Sequence, residues 1–288
     1  MTHPFEITVT VPAGSGRFLA SCGLSTPHAV ATGCAVTGGM VRGLREGHSG
    51  QPAYVVTPEE DSVTLTYGFA PGAAAYPAAM FRPHPSRYTR AAEALVSEAQ
   101  GIAGAGTGAE RARRLACWTA EQFTYGHPEE RFTDGLDHVP FLGCGLTAGS
   151  CVDINTYFLA ALRGAGIEAG YVTGFFFPAE KGDWCHDNHC WVVTRHDGET
   201  LEWDIAHHLK MGTRDIRPAL NPKPGFRAAL FHSMGLDFPD LAIADLKLLG
   251  QPAALGAGGS TTPVPGAFRL HHPDIAPGPL RPETENAA

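Results

Sequence analysis

The most constraining feature of this sequence is an Asp-Gly pair, Asp197-Gly198, set between two runs of strand character that end at His196 and restart at Glu199. Such a pair closes a two-residue hairpin, because both loop positions need positive φ and Asp and Gly tolerate it. With those two residues as the loop, the register of everything beside them is fixed. Val193 faces Glu202, Trp191 faces Asp204 and His189 faces Ala206. Opposed residues share a face, and the side alternates at each step. His189 and Asp204 therefore emerge on the same side as diagonal neighbours, about 7–8 Å apart at Cα, within reach of a carboxylate–imidazole contact. Glu202 shares that face but pairs with Val193, farther along the strand, so Asp204 is the better partner. His186 falls in a loop and His196 flanks the turn. A one-residue slip of the loop would turn every side chain over.

Upstream of the hairpin, Ile154, Tyr157, Phe158, Ala161, Leu162 and Ala165 recur at three- and four-residue spacings. That is one face of an amphipathic helix. Ser150 suits its N-cap, and Asp153 in the first turn complements the free amides there. Gly164 and Gly166 stop it. Cys151 thus lies at the positive end of the helix dipole, where the thiolate, the attacking form of sulfur, is favoured over the thiol. A thiol, an imidazole and a carboxylate are the parts of an activated nucleophile. Most free cysteines are small buried hydrophobes, and the helix alone leaves both readings open. Cys144, between glycines and with no helix directly behind it, is a weaker rival nucleophile.

These segments together resemble the transglutaminase-like superfamily, whose core is a papain-like cysteine-enzyme fold. The matching residues are Cys151 at a helix start, Arg163-Gly164-Ala165-Gly166-Ile167 at its end, and a strand closing on Tyr171-Val172-Thr173-Gly174. His189-Cys190-Trp191-Val192 and Glu202-Trp203-Asp204 follow, and Trp118 to Tyr125 looks like the family's helix ending in Phe-x-Tyr. The likeness covers roughly residues 88–210. It implies an α+β fold with the nucleophile helix packed on an antiparallel sheet. It also implies a catalytic triad of Cys151, His189 and Asp204 acting on an amide or related acyl bond. The chain departs from many members in carrying Val152 directly after the cysteine.

Charge and composition narrow the remaining classes. A formal charge of −8 with no basic run argues against nucleic acid as a partner. No apolar run approaches the ~20 residues that span a bilayer, and the N-terminus lacks the basic and apolar regions of a signal peptide. Seven scattered cysteines in a chain of 288 residues favour reduced thiols. The expected address is the cytoplasm, and the expected partner is a peptide, protein or small amide substrate. Cys185-His186-Asp187-Asn188-His189-Cys190 is dense in ligand types, but it has no second ligand cluster. If residues 189–194 form a strand, Cys190 points away from His189. No metal or other cofactor is therefore expected.

Alternating patterns at Phe5–Val11 and Ser62–Phe69 read as half-buried strands, giving a β-rich domain over residues 1–75, an arrangement that the resemblance supports. The catalytic domain is expected over 76–250, with helices near 88–100 and 109–123 and a cleft wall from 126–148. A short helix-like run is expected near Ala228. His207 and His208 read as solvated or hydrogen-bonded residues at a strand end. From 251 to 288, Gly, Pro, Ala and Ser dominate, and the tail is expected to be extended or disordered. The alternative to an enzyme is a binding module on the same fold.

Overall fold

The computed structural model describes residues 3–275 apart from 83, 144 and 187. Its centre is a four-stranded antiparallel sheet in the spatial order Glu199–Trp203, Asn188–His196, Ala169–Pro178 and Gly225–His232. The hairpin register is the expected one as far as Trp203: Val192 pairs with Trp203, Val193 with Glu202, and His196 with Glu199. The expected pairs of Trp191 with Asp204 and of His189 with Ala206 do not form, because a helix begins at Ile205. Asp197 and Gly198 take φ of 51° and 87°, as the two-residue turn demands. The Ala169–Pro178 strand is buried over nine successive residues, because its neighbours and both sheet faces are covered.

Five α-helices are present among the described residues: α1 (Ala78–Phe81), α2 (Glu93–Ala103), α3 (Gly108–Gln122), α4 (Cys151–Gly164) and α5 (Ile205–Lys210). Thr107 and Glu110 close a capping box at the start of α3. The buried face of α4 packs with α2, α3 and the sheet in one core that holds Leu95, Leu115, Phe158, Tyr171, Val192 and Trp203. No helix among the described residues is long and apolar enough to cross a membrane.

Farther along, the sheet meets a β-rich layer. Phe175, Phe177, Ala228 and Leu230 share a second core with Phe5, Ile7, Leu65 and Tyr67. The Phe5–Pro12 and Ser62–Ala70 strands alternate buried and less buried residues as their sequence pattern requires. They belong to a five-stranded sheet that also takes in Phe268–His271 and Trp184–Cys185. A second five-stranded sheet joins Phe18–Ser21 and Pro52–Pro58 to Ala253–Leu255.

Two expectations change here. The stretch beyond 251 is not a loose tail as far as residue 275. It contributes strands, with Ala253 opposite Leu19 and Phe268 opposite Val9, and the Phe268 ring packs tilted against Phe175 with centroids 3.9 Å apart. Backbone pairing to existing edges supplies the order that its composition lacks. Residues 276–288 lie outside the described part. The run near Ala228 is a strand, Gly225–His232; a short apolar run has no period long enough to separate helix from strand.

Candidate active site

The N-terminus of α4 is tied down by its own first turn. The Ser150 N–H and Oγ–H donate to Asp153 Oδ2 at 2.9 and 2.7 Å, and Arg131 Nη1 donates to the same oxygen at 2.6 Å. Burial works against the Asp153 charge, yet the Ser150 bonds and the Arg131 guanidinium hold its carboxyl below the usual range. Cys151, the first residue of the helix, is buried, with 7% of its surface exposed.

Cys151 sits beside two residues of the Asn188–His196 strand, Cys190 and His189. Hydrogen bonding from the Cys190 thiol is the largest influence on it. Burial opposes, and bonding to His189 together with that ring's charge adds to the first effect, so the Cys151 thiol lies well below the ordinary range. Burial and the neighbouring Cys151 push Cys190 well up, which keeps Cys190 protonated as the donor. Asn155 Nδ2 donates to the Cys190 carbonyl at 2.9 Å and to its sulfur at 3.5 Å. Strand alternation puts Cys190 on the face opposite His189, and Cys151 reaches both from the helix end.

His189 faces Gly174 across the sheet and is buried. Its Nε2 lies 2.7 Å from Asp204 Oδ2. Burial disfavours the imidazolium, but the Asp204 carboxylate and Cys151 outweigh it, and the ring's pKa is raised. With Nε2 engaged by the carboxylate, Nδ1 is the nitrogen left for sulfur. Asp204 is fully buried and caps α5, accepting the His207 N–H at 3.0 Å through Oδ1. The pairing of the hairpin strands ends at Trp203, so Asp204 reaches His189 from a helix cap instead of from a continued strand.

Sequence reasoning missed two residues of this cluster. Of the two readings of His207, solvated or hydrogen-bonded, the second holds, but its place in the site is not legible in the sequence. It is 2% exposed, stacks on His189 at 4.1 Å with 6° between the rings, and places Nδ1 2.9 Å from Asp204 Oδ2. Burial, with repulsion from His189 and Arg227, pushes it down to about 4, so it is neutral. Arg227 donates through Nη2 to Asp204 Oδ2 and lies with its guanidinium 4.6 Å from the Trp191 ring and 5.6 Å from Phe176. A single arginine in the apolar run Phe226–His232 is a usable signal, since a buried cation requires a buried anion. Under these charges Asp204 stays ionised: burial opposes, but His189 and Arg227 hold its carboxyl well below the usual range.

The other candidates are elsewhere. Glu202 is taken by His28 Nε2 at 2.8 Å and Tyr76 Oη at 3.1 Å. His196 bonds Thr194 near the turn. His186 is exposed at the cavity rim. Cys144 and Asp187 lie outside the described residues. Among the described residues, one group, His189, Asp204 and His207, has ligand atoms close enough to share an ion. Its carboxylate already receives the Arg227 guanidinium, and a dication there would face that buried positive charge.

A cavity of about 740 Å³ opens over Cys151 and His189, walled in part by Tyr125, Arg131 and Phe176. Ser150, Cys151 and Val152, at the start of α4 where helix amides lack intrahelical partners, also line it. An attackable sulfur, a proton-carrying ring and amide donors can together support addition to a carbonyl.

Residues 97–203 match the family model of the transglutaminase-like superfamily, and Asp204 follows directly on that segment. This part of the chain has the transglutaminase-like fold. Among solved structures, a candidate cysteine protease from Cytophaga hutchinsonii is similar at 12% identity, covering 94% of this chain and 98% of its own, with a TM-score of 0.48. The periplasmic domain of TgpA from Pseudomonas aeruginosa is similar at 11% identity, covering 74% of this chain and 90% of its own, with a TM-score of 0.37. No curated protein is detectably similar.

Proposed function

We propose that this transglutaminase-like core is a cysteine enzyme of amide or related acyl bonds, with Cys151 as nucleophile, His189 as acid and base, and Asp204 as the group that orients His189. The observation that carries the reading is the buried contact of His189 Nε2 with Asp204 at 2.7 Å, on a ring whose other side adjoins the depressed thiol of Cys151.

The Cys151 thiolate adds to the carbonyl carbon, and the oxygen's growing charge is met by the amides at the start of α4. The imidazolium of His189 returns a proton to the leaving nitrogen, the C–N bond breaks, and an acyl-thioester remains on Cys151. Neutral His189 then takes a proton from water as the oxygen adds to the thioester. Collapse gives a carboxylic acid and regenerates the thiolate. An amine in place of water gives acyl transfer through the same residues. Hydrolysis is the preferred outcome, because water is always present. A binding module would have no use for a thiol held in its reactive form.

Release of aniline from peptide anilides, or of ammonia from glutamine-containing peptides, tests the assignment. Cys151→Ala should abolish turnover, and Asp204→Asn should lower kcat by about 10²–10⁴-fold by spoiling the tautomer and the imidazolium. Turnover that survives Cys151→Ala contradicts it.

A further inference from the structure

The chain has four lysines, Lys181, Lys210, Lys223 and Lys247. All four line the cavity over Cys151 and His189. They arrive from separate parts of the chain: the loop after the Ala169–Pro178 strand, the end of α5, the loop before Gly225–His232, and the segment after Ile243–Leu246. Arg131 adds a fifth cation to the same wall.

Opposing carboxylates are few. Glu180 pairs with Lys223 at 2.6 Å. The buried Asp153 lies 2.6 Å from Arg131 and 4.0 Å from Lys247. Lys181 and Lys210 instead place their ammonium groups over aromatic rings, Trp184 at 4.7 Å and Tyr125 at 4.3 Å. An aromatic face holds a cation without neutralising it. Among the described residues, these five cations meet three carboxylates, Glu180, Asp153 and the Asp134 that lies by Arg131 and Lys247, in a molecule whose formal charge is −8. A cleft lined by one sign of charge concentrates ions of the other sign.

We propose that the site takes an anionic acyl donor, an amide whose acyl part carries carboxylate groups. The inference rests on Cys151 being the nucleophile. Lysines suit this role because they are point charges on flexible stems, able to follow a carboxylate without fixing one geometry. The same charges repel protonated amines, which favours water over an ammonium-bearing acceptor at the thioester.

The probe is a pair of alkylating agents of nearly equal size, iodoacetate and iodoacetamide, each displaced by the thiolate with loss of iodide. Their second-order rate ratio at Cys151, mapped by peptide mass spectrometry, is divided by the same ratio for N-acetylcysteine. At low salt the normalised preference for iodoacetate should exceed about ten-fold, and it should shrink as salt shortens the Debye length. Because the His189 imidazolium also attracts iodoacetate, the double variant Lys181→Gln, Lys210→Gln separates the sources. It should lower the preference by about three-fold or more. Fast iodoacetamide labelling with no iodoacetate preference, or a preference that the double variant leaves intact, overturns the inference while the nucleophile stands. Labelling of Cys151 no faster than N-acetylcysteine by either reagent overturns the nucleophile reading, and this inference with it.

Discussion

Asp204 is where the charges of the site meet. One carboxylate serves His189, His207 and Arg227 and caps α5. The hairpin register points to its pairing with His189, but the strands part after Trp203 and the contact is made from the cap of α5, so the partner is legible in the sequence and the geometry is not. Arg227 and His207 are not legible there, since one arrives from a strand distant in sequence and the other from a helix too short to show a period. Arg227 has no second carboxylate among its described partners, and Asp204 would lose its only permanent cation without it. Arg227→Met should therefore destabilise the protein by about 3–5 kcal/mol at neutral pH, as removal of one partner from a buried pair does. Urea unfolding measures it. The sign with pH follows from the depressed carboxyl of Asp204. Its stabilisation is complete above the unfolded value of about 4 and is lost as pH falls through the folded value. The gap between wild type and variant should then be full at pH 7 and narrow in acid. A gap that widens in acid contradicts the assignment.

At the scale of elements, the site depends on how closely three strands approach. Gly174 lies opposite His189 on one side and Ala229 on the other. A Cβ there would fall on the Ala228 carbonyl oxygen. The glycine that closes Tyr171-Val172-Thr173-Gly174 thus lets the arginine strand lie against the histidine strand's neighbour, which carries Arg227 to Asp204. Gly174→Ala should cost about 1–3 kcal/mol by overpacking and should lower turnover by more than that loss of folded protein explains. Unfolding and kcat on the same preparation give the comparison. Unchanged turnover would show that strand spacing does not position the site. Helix α4 was readable because its apolar spacing, Ser150, Asp153 and terminal glycines all agree on one element. The strand at Gly225–His232 was not, because eight residues with five apolar side chains fit either period.

At the scale of the molecule, layers that the sequence separates are joined. Residues 5–70 have a clear strand signal, yet their sheets are completed by Ala253–Leu255, Phe268–His271 and Trp184–Cys185. Nothing local announces such pairing, since an edge strand needs only a free backbone and a few apolar contacts. Closure at the candidate site is of the same kind. The sulfur comes from α4 and the imidazole from the central sheet, and the proposed thiolate–imidazolium pair requires the two to be packed together. The pH dependence of iodoacetamide labelling at Cys151, in wild type and His189→Ala, reads that pair directly. The depressed thiol predicts fast labelling well below the ordinary cysteine range near 8.5, with the profile moving up in His189→Ala. Labelling of Cys151 that rises only near the ordinary value, and that the substitution leaves in place, contradicts the account.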